Sequence, residues 1–180
     1  MLKRTLFIIV ATVSFIPAAF AEPDVLNDRL GFMIGMGPSV GYEAKDIDEP
    51  VGGARFRVGW GFNEKFILFL DNNIFATRKN DLYYTTYNLQ VRAEYFIFKN
   101  LYVNGGGGLS VGNMTQNSDT GVTDEVNEIK VGFSLGSGLG YEFRLTEHFV
   151  LAPEFTFDFD RIKSRNYLIP AGYLNLVWYL

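Results

Sequence analysis

Between Phe32 and Leu180 the chain repeats one pattern: a bulky apolar side chain, then a small or polar one, then a bulky apolar one again. The stretch 130–143, KVGFSLGSGLGYEF, shows it most plainly. Val131, Phe133, Leu135, Leu139, Tyr141 and Phe143 fall on one face. Lys130, Gly132, Ser134, Gly136, Gly138, Gly140 and Glu142 fall on the other. A period of two is a strand period, because successive side chains of an extended chain point to opposite sides. Glycine is a poor strand residue, yet here it fills most of one face. Such a strand makes sense where one side meets an apolar solvent and the other faces a space too narrow for large side chains.

The same alternation predicts eight strands, over 31–43, 53–62, 66–76, 82–96, 101–112, 130–143, 149–160 and 168–180. The phase of the third is ambiguous. Placing Asp71 and Asn73 inward turns Leu68, Leu70 and Ile74 outward but sends Asn72 with them, so a bulge is expected there. The connections after strands two, four and six are short. Those after strands one, three, five and seven (44–50, 77–81, 113–128 and 161–165) are mostly longer and more polar.

The N-terminus reads as an export signal: Lys3 and Arg4, an apolar core from Leu6 to Phe15, and the small-x-small site Ala19-Phe20-Ala21. The apolar core is too short for a spanning helix, which needs about 20 residues. The expected organisation is a signal peptide over 1–21, a short periplasmic segment over 22–30 and a β-barrel over 31–180. With no Cys there is neither a disulfide nor a thiolate metal site. No cofactor is expected. The formal net charge of −4 becomes more negative once Lys3 and Arg4 are removed, which argues against nucleic-acid binding.

An exported chain of alternating strands is either a soluble β-protein or an outer-membrane barrel. Strands of ~10 residues suit a tilted bilayer crossing, and in lipid the sheet must close so that every backbone group is paired. The large face is too bulky to fill an eight-stranded interior, whereas the glycine-rich and charged face fits it. Phe62, Phe66, Tyr95, Tyr141, Phe143, Phe149 and Trp178 gather at the short-turn ends, and Tyr42, Tyr83, Tyr87 and Phe159 toward the loop ends, as two interfacial girdles would.

On these features the chain resembles the small outer-membrane β-barrel family that includes the OmpA transmembrane domain, OmpX and opacity-type surface proteins. The resemblance implies an all-β, eight-stranded antiparallel up-and-down transmembrane barrel, with loops extracellular and both termini periplasmic. It also implies outer-membrane lipid and lipopolysaccharide as surroundings, and periplasmic chaperones and the barrel-insertion machinery as partners. The final strand matches the family's assembly signal at Leu174, Leu176 and Trp178 but ends in Leu180 rather than an aromatic residue. The family's peptidoglycan-binding domain is not expected.

The inward face carries Glu43, Arg55, Arg57, Asp71, Arg92, Glu94, Lys130, Glu142, Glu154, Asp158 and Asp160. Buried charges are costly unless paired, so Arg55, Arg57, Arg92, Glu94, Lys130, Glu142, Glu154 and Asp158 are expected to form a structural polar network. Gly136, Gly138 and Gly140 would make room for Arg92, Glu94 and Glu154. A narrow ion pathway is the sharper alternative. The single His148 stands beside Thr146 and Glu147 in a turn, which weighs against the Ser-His-acid chemistry of lipid A-modifying barrels. Acidic and basic loops alternate around the expected crown. The third loop, with Asn117, Asp119, Asp124 and Glu125, is the expected contact surface for a ligand on a host or another cell. The function expected is non-enzymatic: a surface-exposed structural or interaction protein, adhesion- or porin-like. The alternatives are an OmpW-like transport barrel for hydrophobic or small solutes and, less favoured, a lipid A enzyme.

Overall fold

The computed structural model describes residues 29–45, 47–79, 82–116, 129–163 and 165–180. The expected signal peptide and residues 117–128 of the expected third loop, with Asn117, Asp119, Asp124 and Glu125, lie outside the described residues, while 113–116 continue the fifth strand. The described strands are β1 (Gly31–Glu43), β2 (Glu49–Asn63), β3 (Phe66–Lys79), β4 (Leu82–Phe98), β5 (Leu101–Gln116), β6 (Lys130–Tyr141), β7 (Phe143–Arg144), β8 (Phe149–Ile162) and β9 (Arg165–Tyr179). Chain neighbours pair antiparallel except β6 and β7, which both pair with β8, and the sheet closes on itself through β1 and β9. Glu142 separates β6 from β7, which form one pass, so the closed barrel has eight.

The alternation read from the sequence sorts side chains as expected. Phe133 and Leu135 are 43% and 53% exposed on the outer wall, while Ser134 between them is fully buried. Met36, Val40, Phe56, Trp60, Leu70, Leu89, Phe157, Leu174 and Trp178 continue the outer belt. An apolar belt running round every strand far exceeds the patches a monomer keeps in water; it is what hydrocarbon requires of a closed sheet. Aromatic pairs on the outside mark the short-turn end, with Phe62 and Phe66 at 6.0 Å and Tyr141 and Phe143 at 4.8 Å between ring centroids.

Three expectations are corrected. β3 alternates without a bulge: Asn72 faces outward in regular register between Phe56 and Leu89, and Ile67, Phe69 and Phe75 turn inward. The irregularities fall instead at Gly61/Asn63 in β2 and Phe96/Phe98 in β4. The expected second and fourth loops are largely strand. Arg78 and Lys79 belong to β3, and Arg161 and Arg165 to β8 and β9. These strands run well beyond the ~9–11 residues a bilayer needs, and their protruding ends are polar because they stand in water.

The interior is layered. At the short-turn end Met33, Ile67, Phe69, Phe96, Tyr102, Val150, Val177 and Tyr179 pack together. At the loop end Ile47, Val51, Phe75, Ile162, Tyr167, Ile169 and Tyr173 do the same. Arg55, Arg57, Asp71, Arg92, Glu94, Glu154 and Asp158 lie between the two layers. Two places on the seam between β1 and β9 are tight. Gly31 has φ 98°, and a Cβ there would lie 2.7 Å from the Leu180 carbonyl oxygen, so only glycine fits. Farther along, the ladder runs from Met36–Leu176 to Ser39–Tyr173 and skips Gly37 and Pro38. Proline has no N–H to give, and the Leu174 carbonyl crowds Gly37.

Candidate functional site

The strand period delivers Arg55 and Arg57 from β2, Asp71 and Asn73 from β3, Gln90, Arg92 and Glu94 from β4, and Glu154, Thr156 and Asp158 from β8 to one level of the interior. Each is buried. Arg55 meets Asp71 at 3.1 Å and Glu154 at 2.8 Å, and donates to Asn73 Oδ1 at 3.0 Å. Arg57 lies 3.4 Å from Glu94 and 3.5 Å from Glu154. Arg92 lies 3.1 Å from Asp71 and 3.5 Å from Asp158, and donates to Asn104 Oδ1 at 2.7 Å. Glu154 is the hub: besides the two arginines it accepts from the Tyr102 hydroxyl at 3.0 Å and from Asn175 Nδ2 at 3.4 Å. Arg55 also stacks on the Tyr173 ring at 3.7 Å.

Around this centre further hydrogen bonds tie in the remaining buried polar side chains. Asp160 accepts from Ser134 and, at 2.9 Å, from Asn88 Nδ2. Ser134 in turn accepts from Gln90, and Asn88 accepts from Ser110. At the loop end the Glu43 carboxylate accepts the backbone N–H groups of Lys45, Ile47 and Asp48, folding the first loop inward over the barrel.

Of the residues expected in the network, Arg55, Arg57, Arg92, Glu94, Glu154 and Asp158 meet in one cluster. Glu142 stands apart at the short-turn end, where it pairs with Arg29 at 2.9 Å and accepts from the Tyr179 hydroxyl. Lys130 lies at the opposite end, half-buried at the mouth among Tyr84, Thr86, Ile162 and Arg165. Arg29 was not foreseen. Its guanidinium lies 3.6 Å over the Phe96 ring, and it donates to Glu142, to the carbonyls of Glu64 and Lys99, and to Asn100 Oδ1. A lone arginine before the first strand carries no periodic signal that could have identified it.

The glycine face does make the room. A Cβ on Gly136 would lie 2.4 Å from Asp158 Oδ1. One on Gly138 would lie 3.1 Å from Glu154 Oε1, and one on Gly140 2.3 Å from Tyr102 Cζ. The occupants are thus Asp158, Glu154, Tyr102 and the Arg92 guanidinium rather than Glu94. A contrast follows. Gly140→Ala pushes on the ring that holds Glu154 and should destabilise the barrel by about 1–3 kcal/mol. Gly105→Ala faces outward, with its nearest neighbour 3.6 Å away, and should be neutral or gain up to ~1 kcal/mol. Urea unfolding of the two variants checks this; equal midpoints would refute the packing account.

Among the described residues no cluster of His, Asp or Glu is arranged to hold a metal ion. His148 is exposed in the turn before β8. The hydroxyl of Thr146 accepts the Phe149 amide at 3.0 Å and so is committed to the turn.

No protein-family model matches the chain, and no curated protein matches it either. Solved structures do match in fold. Neisserial surface protein A (NspA) aligns at TM-score 0.64 and 13% identity, over 83% of this chain and 97% of that one. Ail, the attachment invasion locus protein of Yersinia pestis, aligns at 0.62 and 13% over 83% and 98%. The N-terminal β-barrel domain of Pseudomonas aeruginosa OprF aligns at 0.53 and 15% over 81% and 97%. At these identities the likeness is one of fold: the chain has the closed eight-stranded architecture of small outer-membrane barrels.

Proposed function

We propose that this protein is a non-enzymatic outer-membrane barrel whose interior is a structural lock and whose work is done at the loop end, as a surface-exposed structural or interaction protein. The observation that carries the proposal is the closure of the interior. The side chains of Arg55, Asp71, Arg92 and Asp158 are fully buried at mid-height, and apolar layers cover the charges at both ends. A closed interior leaves nothing for a solute to pass through and directs function to the surface. The outer belt supports lipid as its surroundings. Leu174, Leu176 and Trp178, exposed on the last strand, support delivery by the insertion machinery and its chaperones. The names of two fold relatives, a surface protein and an attachment invasion locus protein, support an interaction role. The exposed His148 and the committed Thr146 hydroxyl weigh against lipid A chemistry. On this reading the third loop, with Asn117, Asp119, Asp124 and Glu125, is presented outside the cell and both termini lie in the periplasm.

The test combines three measurements on one preparation. The barrel should fractionate with the outer membrane and migrate faster on an unheated SDS gel than on a heated one. An epitope inserted at Asp119 should be labelled on intact cells. The purified protein should be silent in planar bilayers. Recovery as a soluble periplasmic protein, or steady ohmic conductance from the folded band, would sink the reading.

A further inference from the structure

Asn72 breaks the outer apolar belt. It shares the outward face of β3 with Leu68, Leu70 and Ile74, and its ladder partners are Phe56 and Leu89. All five of these apolar neighbours are exposed. Asn72 stands six residues from Phe66 at the short-turn end and six from Arg78 at the loop end. At ~3.3 Å per residue along a strand tilted ~40°, that is ~15 Å of height in either direction. An apolar band is ~25 Å tall, so the side chain stands near its midplane. Its amide has no hydrogen-bond partner among the described residues.

An amide in hydrocarbon without a hydrogen bond is costly, and acyl chains offer it neither donor nor acceptor. A carboxamide carries both, so two of them can join through reciprocal N–H···O bonds. Barrels inserted from one side share one orientation, and two copies then meet about a two-fold axis along the membrane normal. A residue on that axis meets its own copy at the same depth, whereas a different protein would have to bring an amide of its own to that depth. Two strands each tilted ~40° cross at ~80° about such an axis. The contact is therefore a crossing point, and the residue at the crossing governs it. The wall beside Asn72 is also low. In the next two outward rows toward the loop end, Ala54 pairs with Ile74 and Gly52 with Ala76. Gly52, Ala54 and Ala76 are exposed, and a Cβ on Gly52 would meet nothing within 4 Å. Small residues let two membrane-embedded surfaces approach closely while a polar side chain bonds across.

We infer that the outer face of β3 is a self-association surface: two copies of this chain meet in the membrane with their Asn72 amides paired on a two-fold axis. The pairing rests on the outer-membrane reading, since lipid is what withholds water from Asn72. The two can fail separately. A folded monomer embedded in vesicles would refute the pair and leave the barrel reading standing, whereas a soluble protein would refute the barrel reading itself.

The chain has no Cys, so E147C, in the exposed turn before β8, takes a single donor or acceptor dye far from β3. Energy transfer between the two labelled forms, folded into phosphatidylcholine vesicles over a range of protein-to-lipid ratios, reads the association constant. With Asn72 in place the copies should associate. N72L, which puts an apolar side chain of similar size into the lipid, should weaken association by about fivefold or more. N72Q, which keeps the carboxamide, should weaken it less. Cross-linking by a short bis-maleimide in the same vesicles gives a second reading that leaves Asn72 intact. I74C, one outward position from Asn72, should be trapped as a dimer. F157C, also exposed but four passes round the barrel from β3, should not. The faster unheated gel band verifies that each variant is folded. If N72L does not fold, the cross-linking pair alone decides. The surface is refuted by a monomer at every ratio, which would leave lipid or another membrane protein to cover Asn72, by N72L associating as its parent does, or by equal trapping at positions 74 and 157.

Discussion

Glu154→Ala is expected to lower the stability of the folded barrel by about 3–5 kcal/mol, the usual result of removing one partner from a buried charge network. The carboxylate binds Arg55 at 2.8 Å, approaches Arg57 at 3.5 Å and takes the Tyr102 and Asn175 hydrogen bonds. Its loss leaves the arginines under-compensated in a space where water does not reach them. Glu154→Gln should cost less, about 1.5–3 kcal/mol. The amide oxygen still accepts from Arg55 or Tyr102, while Arg55 keeps Asp71 and Arg57 keeps Glu94. Urea unfolding followed by tryptophan fluorescence or the gel shift reads the difference. At slopes of ~1–3 kcal/mol per molar urea, the alanine midpoint falls by at least ~1 M. An alanine variant as stable as its parent would mean that the cluster is hydrated and not a lock.

The second large effect is at Arg29. Arg29→Ala should cost a similar 3–5 kcal/mol, because it strands the Glu142 carboxylate, which is fully buried, with Tyr179 as its remaining partner. Arg29→Lys separates charge from shape. Lysine keeps the charge but cannot spread donors over Glu142, Glu64, Lys99 and Asn100 at once, nor stack flat on Phe96. It should recover only part of the loss. If Lys restores full stability, the fan of contacts is incidental and the single ion pair suffices. Either result bears on the end of the expected periplasmic segment, whose Arg29 pairs with the buried Glu142 and lies over the Phe96 ring.

What could be read beforehand and what could not have physical reasons. The face of nearly every side chain was legible, because lipid on one side and a narrow interior on the other impose opposite demands at a period of two. The room left by Gly136, Gly138 and Gly140 was legible for the same reason. The tenants were not. Arg55 and Glu154 are 99 positions apart, and their meeting depends on how far the barrel's strands are staggered, which alternation does not encode. Strand ends were misjudged where Arg78, Lys79 and Arg161 rise out of the bilayer: water on both faces erases the contrast that reveals a strand. The two apolar layers were missed because Ile67, Phe69 and Phe75 sit in a strand whose two faces are both largely apolar. Lys130 has inward parity, as expected, yet its position at the mouth gives it different company from the central charges.

The gap at Gly37 and Pro38 falls on the seam that joins the first strand to the last. Every other seam is a hairpin or closes over a few tens of residues, but Met33 and Tyr179 are roughly 145 positions apart. Relative to a hairpin of ~20 residues that is about three doublings of loop length, or an extra ~2 kcal/mol of closure entropy. The most expensive ring closure in the molecule is thus also the one whose ladder is interrupted. The barrel should zip along its hairpins first and seal here last, and when it breathes it should part here first. Hydrogen exchange should record this as early labelling of β1 and β9 amides beside Pro38, while the amides of β4 and β5 stay protected.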